Sequence, residues 1–282
     1  MSAPTLPLDS AALATEDNSA PAVVFEDVAL AFGENNVLRG VSFSLARGET
    51  KALFGVAGSG KSLILKLALG LIRPDSGSVI VLGHDVTQMR EQDLFELRGK
   101  IGMVFQESAL FDSLSVRENV AYRLMEARGI YDDEIDRRVR EVLRFVELEH
   151  TLELSPAELS GGMRRRVAIA RALITQPELL LYDSPTGGLD PVTSNTIIEL
   201  IVKQRDVYHT SALMVTHRLQ DAFTMATHEF DKQTNAMVSL PPGKHCHVPM
   251  SFLILRDGKV IFDGDVQQLA STEDEYIKEY IS

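Results

Sequence analysis

The chain has 282 residues and a mass of 31.1 kDa, which is enough to bury a full hydrophobic core in one or two domains. Its net charge of −12 argues against a non-specific grip on nucleic acid or on an anionic lipid surface. The single cysteine, Cys246, excludes an intramolecular disulfide framework and fits a reducing cytosol.

The sequence carries no sign of membrane insertion or export. No apolar run approaches the roughly 18 residues that a spanning helix needs, and the run at 63–72 is interrupted by Lys66. The amino terminus is acidic and lacks the basic start and apolar stretch of a signal peptide. We therefore expect a cytoplasmic protein whose membrane role, if it has one, runs through a partner.

The first part of the chain predicts a tail followed by strands. Residues 1–21 are rich in Ala, Ser, Pro, Thr and acids without periodicity, which predicts a disordered tail. Short alternating segments at 23–25, 29–32 and 41–45 are separated by turn residues, which predicts antiparallel strands. A buried-type run at 52–54 then leads into a glycine-rich loop and a helix from Lys61 to about Leu71.

Later apolar runs predict further buried strands with helices between them. The predicted strands are 78–82, 101–105, 179–182, 212–215 and 252–255. Their alternation with helical patterns predicts an α/β fold with a mostly parallel sheet and an antiparallel β subdomain at its amino-terminal end. Helical patterns at 116–127 and 132–148 predict an inserted helical subdomain over about 107–174. We predict a surface loop or added hairpin at 228–250, and a helical tail at 265–282 after a main domain of 22–264.

Residues 55–62 form the first candidate site. They read Gly-Val-Ala-Gly-Ser-Gly-Lys-Ser and match the pattern G-x-x-x-x-G-K-[ST] between a predicted strand and helix. The candidate phosphate ligands are the backbone and side chains of Gly55, Gly58, Ser59, Gly60 and Lys61. Glycines let successive amides face phosphate oxygens, the lysine reaches the β and γ oxygens, and the hydroxyl of Ser62 ligates Mg²⁺. The flanking strand and helix disfavour the alternative of a chance glycine turn.

The apolar run at 178–183 ends in Asp183. Ligands in open α/β sheets lie at the carboxyl ends of strands, so this carboxylate stands where a magnesium-positioning acid belongs. Alone, such an aspartate is more often a strand terminator. A phosphate loop in the same chain favours the metal role.

A second candidate anion site begins at Ser160. This serine is a predicted helix N-cap, and Gly161 and Gly162 expose amides at the start of a basic helix over 164–173. The alternative is an N-capped helix with a solvated basic face. The segment Leu-Ser-Gly-Gly-Met at 159–163 resembles the signature motif of the ABC transporter ATP-binding subunits, a P-loop NTPase family.

Other motifs of that family occur in the same order. They are Gln106 after Val-Phe, the segment Gly-Gly-Leu-Asp ending at Asp190, and His217 after Met-Val-Thr. The resemblance covers roughly residues 22–264. It implies a dimer in which each P-loop and the other subunit's signature segment enclose one ATP.

The resemblance also implies roles for single residues and for partners. Phe32 would stack on adenine, although ordinary strand packing is the alternative. Gln106 would join Ser62 on Mg²⁺, Asp183 would hold a metal-bound water, Asp190 would lie in the loop between the subunits, and His217 would contact the γ-phosphate. A transmembrane permease would place the chain at the inner face of the cell membrane, either as a homodimer or paired with a second ATPase subunit.

Within the family, the sequence is most similar to the ATPase of Mla-type (maintenance of lipid asymmetry) phospholipid transporters. The residues that carry this similarity are Met163, Leu63 and the segments 106–111 and 188–194. It implies a lipid cargo and a lipid-binding substrate protein as a further partner. An importer or exporter of another cargo is the alternative, and an ABC protein acting on nucleic acid is disfavoured by the acidic charge.

Ser184 departs from the family pattern. Active members carry a glutamate there, which polarises the attacking water, and loss of a positioned base typically reduces the rate about 10²- to 10⁴-fold. We expect ATP binding and dimerisation with weak hydrolysis. Intrinsic slow turnover, pairing with an intact second ATPase subunit and a nucleotide-gated dimerisation module without turnover all remain open.

Two weaker patterns complete the sequence. Residues 110–114 would line a groove for a permease coupling helix, as the resemblance implies, or be buried in the helical subdomain. The cluster His-Cys-His at 245–247 suggests a metal ligand set, but only its two histidines share a strand face, and a polar loop is the favoured interpretation.

Overall fold

The structure is a computed structural model that describes residues 20–126, 129–241, 244 and 246–281. Residues 1–19 of the predicted tail lie outside the described residues. The strands are β1 (Val23–Phe32), β2 (Asn35–Leu45), β3 (Thr50–Gly55), β4 (Ser76–Val81), β5 (His84–Asp85), β6 (Ile101–Val104), β7 (Leu179–Asp183), β8 (Ser211–Val215), β9 (His228–Asp231), β10 (Ala236–Ser239), β11 (Met250–Arg256) and β12 (Lys259–Asp265). The α-helices are α1 (Lys61–Ala68), α2 (Glu91–Gly99), α3 (Val116–Glu126), α4 (Asp132–Phe145), α5 (Gly161–Leu173), α6 (Pro191–Tyr208), α7 (Leu219–Thr227), α8 (Val266–Ala270) and α9 (Glu275–Ile281).

A six-stranded sheet in the order β12-β11-β3-β8-β7-β6 carries the nucleotide-binding elements. All neighbours in it are parallel except β11 and β12, so the predicted mostly parallel sheet is confirmed. Alternate residues of each strand enter two separate cores: Phe54 and Tyr182 face the helical side, and Leu53 and Leu181 face the antiparallel sheet and α1. Burial on both faces explains why these strands read as continuous apolar runs.

The amino-terminal strands form a second, four-stranded sheet in the order β2-β1-β4-β5. The run at 78–82, which we assigned to the parallel sheet, belongs here as β4 and pairs antiparallel with β1, so that assignment is wrong. A short apolar run does not reveal its strand direction, which is the reason for the error. The two segments predicted within 23–32 form the single strand β1, with a register shift beside Asp27, whose φ is 47°.

Two helices end earlier than predicted because left-handed residues close them. Gly70 adopts a φ of 62° after α1, and the amide of Leu71 donates to the carbonyl of Lys66 at 2.9 Å. Glu147 adopts a φ of 62° after α4, and the amide of Leu148 donates to Leu143 at 2.8 Å. Both are Schellman endings. The second has no glycine, so the sequence contains no stop signal there.

Helices α3, α4 and α5 contact one another and cover one face of the parallel sheet. The predicted amphipathic face of α4 is confirmed, since Ile135, Val139, Val142 and Leu143 are buried. Within 228–250, β9 and β10 pair as an antiparallel hairpin. Of the two predicted alternatives, a surface loop or an added hairpin, the structure has the hairpin. The division of the chain into subdomains stays a prediction. Across the described ranges, every helix is too short or too polar to cross a bilayer.

The Tyr182 hydroxyl is an expected source of instability in the core. This side chain is fully buried, its hydroxyl finds no hydrogen-bond partner among the described residues, and burial raises its pKa. Removing an unpaired buried hydroxyl relieves a desolvation penalty, so we expect Tyr182→Phe to raise the free energy of unfolding by about 1 kcal/mol. Urea unfolding measures this. Tyr131→Phe is the matched control, because Tyr131 is 84% exposed and should change nothing; a loss of stability in Tyr182→Phe would contradict the prediction.

Candidate nucleotide-binding site

The phosphate loop joins β3 to α1. Gly55, the last residue of β3, has a φ of 150°, and a Cβ there would lie 2.4 Å from the carbonyl oxygen of Leu255 on the neighbouring strand. Gly60 caps α1 with a φ of 94°, and a Cβ there would lie 2.8 Å from the side chain of Leu38. Neither position accepts a side chain, so the loop's tight path depends on both glycines.

The ammonium group of Lys61, the first residue of α1, lies inside this loop. Its ammonium donates to the carbonyl oxygens of Gly55 and Val56, each at 2.8 Å, and lies 3.4 Å from the Ser59 hydroxyl. The residue is 4% exposed. Burial lowers the pKa of Lys61, and the negative charge of Asp183 opposes that shift. A desolvated cation inside a glycine loop attracts anions strongly. The two carbonyl oxygens that hold it carry only partial negative charges, whereas a phosphate supplies a full counter-charge.

The structure brings two of the three predicted magnesium ligands, Ser62 and Asp183, together. The Ser62 hydroxyl donates to a carboxylate oxygen of Asp183, the last residue of β7, at 3.3 Å. Gln106 follows β6, the parallel neighbour of β7, and its Cγ would lie 3.5 Å from a Cβ at Gly187. A hydroxyl and a single carboxylate suit Mg²⁺, which keeps waters and takes phosphate oxygens. Among the described residues no cluster of three or more His, Cys, Asp or Glu could hold a metal by itself.

Ser184 is enclosed directly after Asp183. It is 3% exposed, its φ is 47°, and its hydroxyl has no hydrogen-bond partner among the described residues. Its amide donates to Val215 at 2.8 Å, and its carbonyl accepts from Gly187 at 2.9 Å. The backbone is thus fixed at this position, and the side chain there offers no carboxylate.

His217 follows β8 on the same edge of the sheet. Partial burial, and then the positive charge of Lys61, lower the pKa of His217, while Asp183 acts in the opposite direction. The imidazole is therefore neutral at pH 7 and able both to donate and to accept a hydrogen bond. The effects of Lys61 and Asp183 on this pKa indicate that both residues lie close to His217.

The signature segment packs against the Asp190 loop within the same chain. Ser160 caps α5 and accepts from the amide of Met163 at 3.2 Å, so the predicted N-cap is confirmed. A Cβ at Gly162 would lie 2.4 Å from the methyl carbon of Thr193, and one at Gly161 would contact Leu189. Asp190 in turn caps α6 by accepting from the Thr193 hydroxyl and amide and from the Val192 amide, which lowers its pKa. The hydrogen bonds of Ser160 and Asp190 thus stay at their own helix starts.

Phe32 lies at the turn between β1 and β2 and is 55% exposed. This exposure excludes the core-packing alternative for that side chain. An exposed ring at the edge of the antiparallel sheet is available to stack on a flat ligand.

The sequence did not single out two further residues near the site, Tyr280 and Asp221. The Tyr280 hydroxyl accepts from the Gly55 amide at 3.3 Å, and its ring stacks on Tyr276 at a centroid distance of 6.1 Å; this aromatic pair at helical spacing was the only signal available. Asp221 accepts from the Thr186 hydroxyl and pairs with Arg218, whose Nε lies 3.5 Å from it. Burial raises the pKa of Asp221. No sequence pattern predicts its contact with Thr186.

The His-Cys-His cluster gives no metal site that the structure can test. His245 lies outside the described residues. The Cys246 thiol is half-buried with a raised pKa caused by that burial, and it lies 3.3 Å from the carbonyl oxygen of His228. The His247 ring lies 3.8 Å from Glu229.

A buried strand, a glycine loop around a lysine and an adjacent Ser-Asp pair define a P-loop nucleotide-binding protein. A model of the ABC transporter family matches residues 38–187. The chain is 36% identical over 274 residues to the Arabidopsis thaliana protein Trigalactosyldiacylglycerol 3, chloroplastic, covering 94% of this chain and 74% of that protein. The chain belongs to the ABC transporter family and is an ATP-binding subunit with that family's ATPase domain.

Other relatives and solved structures agree on the family. The chain is 40% identical to a methionine import ATP-binding protein of Paraburkholderia xenovorans and 37% identical to a probable ribonucleotide transport ATP-binding protein of Mycobacterium tuberculosis, covering 71% and 69% of this chain. It spans about half of those two proteins, 53% and 54%. A dimeric ATP-binding cassette bound to ADP and phosphate superimposes with a TM-score of 0.72 at 29% identity, over 86% of this chain and 98% of that one.

Proposed function

We propose that this chain, with Mg·ATP, forms a dimer in which two nucleotides lie between the subunits. In each site, Phe32 stacks on adenine, Lys61 and the loop amides hold the phosphates, and His217 contacts the γ-phosphate. Ser62 and Gln106 ligate Mg²⁺, and Asp183 orients a metal-bound water. Ser160, Gly161 and Gly162 of the second subunit close the site, beside the loop that carries Asp190.

The loop geometry supports this arrangement. The Lys61 ammonium is held by carbonyl groups that a phosphate can outcompete, and the Ser62–Asp183 pair lies at the same edge of the sheet. Packing against Thr193 leaves no room for a side chain at Gly162, so the amides at the start of α5 stay uncovered there. The similar dimeric cassette bound to ADP and phosphate supports the two-subunit form.

We propose a lipid cargo, and one observation carries this proposal. The match to the relative named for trigalactosyldiacylglycerol covers 94% of the chain, whereas the methionine and ribonucleotide relatives match only 71% and 69%. Similarity that continues outside the shared nucleotide-binding core favours kinship with the lipid-named protein. Because partner subunits select the cargo, a lipid cargo means that this chain serves a lipid-transporting permease.

The cargo proposal is tested by isolating the chain from its own membranes. We expect a transmembrane permease and a lipid-binding protein to co-purify, and glycerophospholipid to be extracted from the complex. Recovery with an amino-acid-binding or nucleotide-binding partner instead would replace the lipid proposal by the importer alternative. Lys61→Ala serves as the control, because assembly with the permease does not require nucleotide in this account.

An apolar groove supports a permease partner and a position at the inner face of the membrane. The groove encloses about 430 Å³ and includes Leu71, Phe95, Phe105, Phe111, Tyr122 and Arg171 among its lining residues. Phe111 is 43% exposed and Phe95 is 56% exposed, whereas Leu110 packs against the helical core. The turn that presents Phe111 is fixed by Asn119, whose amide group bonds both the Phe111 amide and carbonyl. Such exposed aromatic grooves mark docking sites for helices.

Phe111→Asp is expected to abolish permease co-purification while leaving Mg·ATP affinity unchanged. The substitution places an unpaired charge in the apolar groove, and burying that charge under a docked helix is unfavourable. Pull-down of the permease and calorimetry with Mg·ATP measure the two outcomes. Tyr131→Asp is the matched control, since Tyr131 is 84% exposed at the N-cap of α4, where aspartate is favoured. Equal permease recovery from both variants would refute the groove.

A second candidate is a dimerisation module gated by nucleotide without turnover. Ser184, buried and without a carboxylate, favours it. Under this alternative Mg·ATP drives dimer formation but no phosphate is released. Sedimentation with Mg·ATP, combined with phosphate release from the same sample, separates the two candidates.

A further inference from the structure

Arg165 is the most unusual charged residue near the nucleotide site. It lies on α5 one turn after the signature glycines and is only 4% exposed, yet no carboxylate among the described residues lies within salt-bridge distance of it. Buried arginines are normally paired with an acid, because desolvating an unpaired charge is unfavourable. Burial accordingly lowers the pKa of Arg165, with only Glu107 opposing the shift.

The guanidinium instead bridges two backbone segments. One terminal nitrogen donates to the carbonyl of Phe105 at 2.8 Å, and the other donates to the carbonyl of Gly187 at 3.2 Å. Phe105 directly precedes Gln106, the candidate magnesium ligand. Gly187 lies in the turn between Ser184 and Asp190, where its amide donates to Ser184. The rigid planar fork of an arginine fixes the spacing of the two carbonyls it bonds.

Both bridged segments lead to other parts of the site. The Gln106 side chain is close to Gly187, at 3.5 Å from a Cβ position there. Beyond Gly187, the Leu189 side chain lies 3.5 Å from a Cβ position at Gly161. Asp190 caps α6, and Thr193 of that helix lies against Gly162. The other arginines of α5 each donate to carbonyls of a single segment: Arg164 to Leu159, Arg166 to Val146, and Arg171 to Ser108 and Ala109.

We propose that Arg165 is a positioning residue that transmits nucleotide binding at Gln106 to the segment 184–190, and through it to the signature segment 160–162. The proposal rests on the two-subunit nucleotide sandwich given above, because in that form the signature segment serves the nucleotide of the second subunit. Displacement of Gln106 by a bound magnesium complex moves the Phe105 carbonyl. The shared guanidinium makes the Gly187 carbonyl follow.

Linkage makes this coupling reciprocal. If nucleotide in one site orders the 184–190 segment, then ordering of that segment by the second subunit raises the nucleotide affinity of the first site by the same factor. Arg165 thereby gives the two sites of a dimer a route to cooperative binding. A guanidinium that served only to fill the core would leave the two segments independent.

Amide hydrogen exchange tests the proposal with Mg²⁺ and the non-hydrolysable analogue AMP-PNP, at a protein concentration where sedimentation shows a monomer. In the wild-type chain we expect the analogue to slow exchange at 55–62, 105–109 and 186–192. In Arg165→Gln, protection at 55–62 should persist, while protection at 186–192 should fall about fivefold or more, the size of a typical coupling. Arg165→Lys keeps the charge but lacks the fork, so it should not restore protection.

The controls separate the possible failures. Arg166→Gln removes a neighbouring arginine that donates to the carbonyl of Val146 and lies 4.0 Å from the Glu147 carboxylate, away from both bridged segments, so it should behave as wild type. Absence of protection at 55–62 in the wild-type chain would refute the nucleotide site itself. Protection at 55–62 without any at 186–192 in the wild-type chain, unchanged 186–192 protection in Arg165→Gln, or rescue by Arg165→Lys would each overturn the Arg165 bridge. The wild-type result can overturn the bridge even if a variant is unstable.

Discussion

Mg·ATP affinity is expected to fall about 10- to 100-fold in Lys61→Ala, because hydrogen bonds to charged groups contribute about 1.5–3 kcal/mol each. The Lys61 ammonium is buried and already held by the carbonyls of Gly55 and Val56, so it enters the complex with little further ordering. A phosphate therefore gains a preorganised and poorly solvated cation, for which charge attraction is stronger than at the surface.

Isothermal titration calorimetry measures the loss, and Lys66→Ala is the matched control. Lys66 lies on the same helix but is exposed, so its removal changes the net charge equally without touching the loop. Lys61→Ala also leaves the two loop carbonyls without their donor, so the thermal midpoint must be checked before affinities are compared. An affinity within twofold of the wild-type chain would show that the loop does not bind phosphate through Lys61, and the account of the site would fail.

The phosphate loop and the signature helix could be predicted because contiguous residues determine the structure of each. The residues from Gly55 to Ser62 are contiguous, and their spacing fixes backbone geometry wherever a strand precedes and a helix follows. The same holds for Ser160, since an N-cap depends on the next three residues only, and its bond to Met163 was found as expected.

The residues that sequence reasoning missed depend on contacts between distant segments. Arg165 reads as part of a basic solvated helix face, yet it is buried and bonds carbonyls 60 and 22 residues away. Periodicity cannot tell a solvated arginine from one that satisfies backbone groups inside the fold. Phe32 and Phe111 were undecided for the same reason, because only the folded chain fixes their exposure.

The rate of ATP hydrolysis by this chain depends on whether the absence of a glutamate at position 184 is the only limitation. We expect Ser184→Glu to raise ATP turnover about 10²- to 10⁴-fold, since that is the usual contribution of a positioned general base. Hydrogen bonds to Val215 and Gly187 already fix the backbone at this position. The new carboxylate is therefore attached to an ordered backbone directly after Asp183. Asp221 cannot substitute for it, because its carboxylate accepts from Thr186 and pairs with Arg218.

Phosphate release at saturating Mg·ATP measures the gain, and Ser184→Gln is the control because it matches glutamate in size without providing a base. Lys61→Ala gives the background rate. Brisk turnover by the unmodified chain, or equal rates for the glutamate and glutamine variants, would remove Ser184 as the limiting residue. If the unmodified chain alone is slow but accelerates when a second ATPase subunit is added, then Ser184 marks the non-hydrolysing half of a mixed pair. In that case hydrolysis takes place in the site of the second subunit, which this chain completes with Ser160, Gly161 and Gly162.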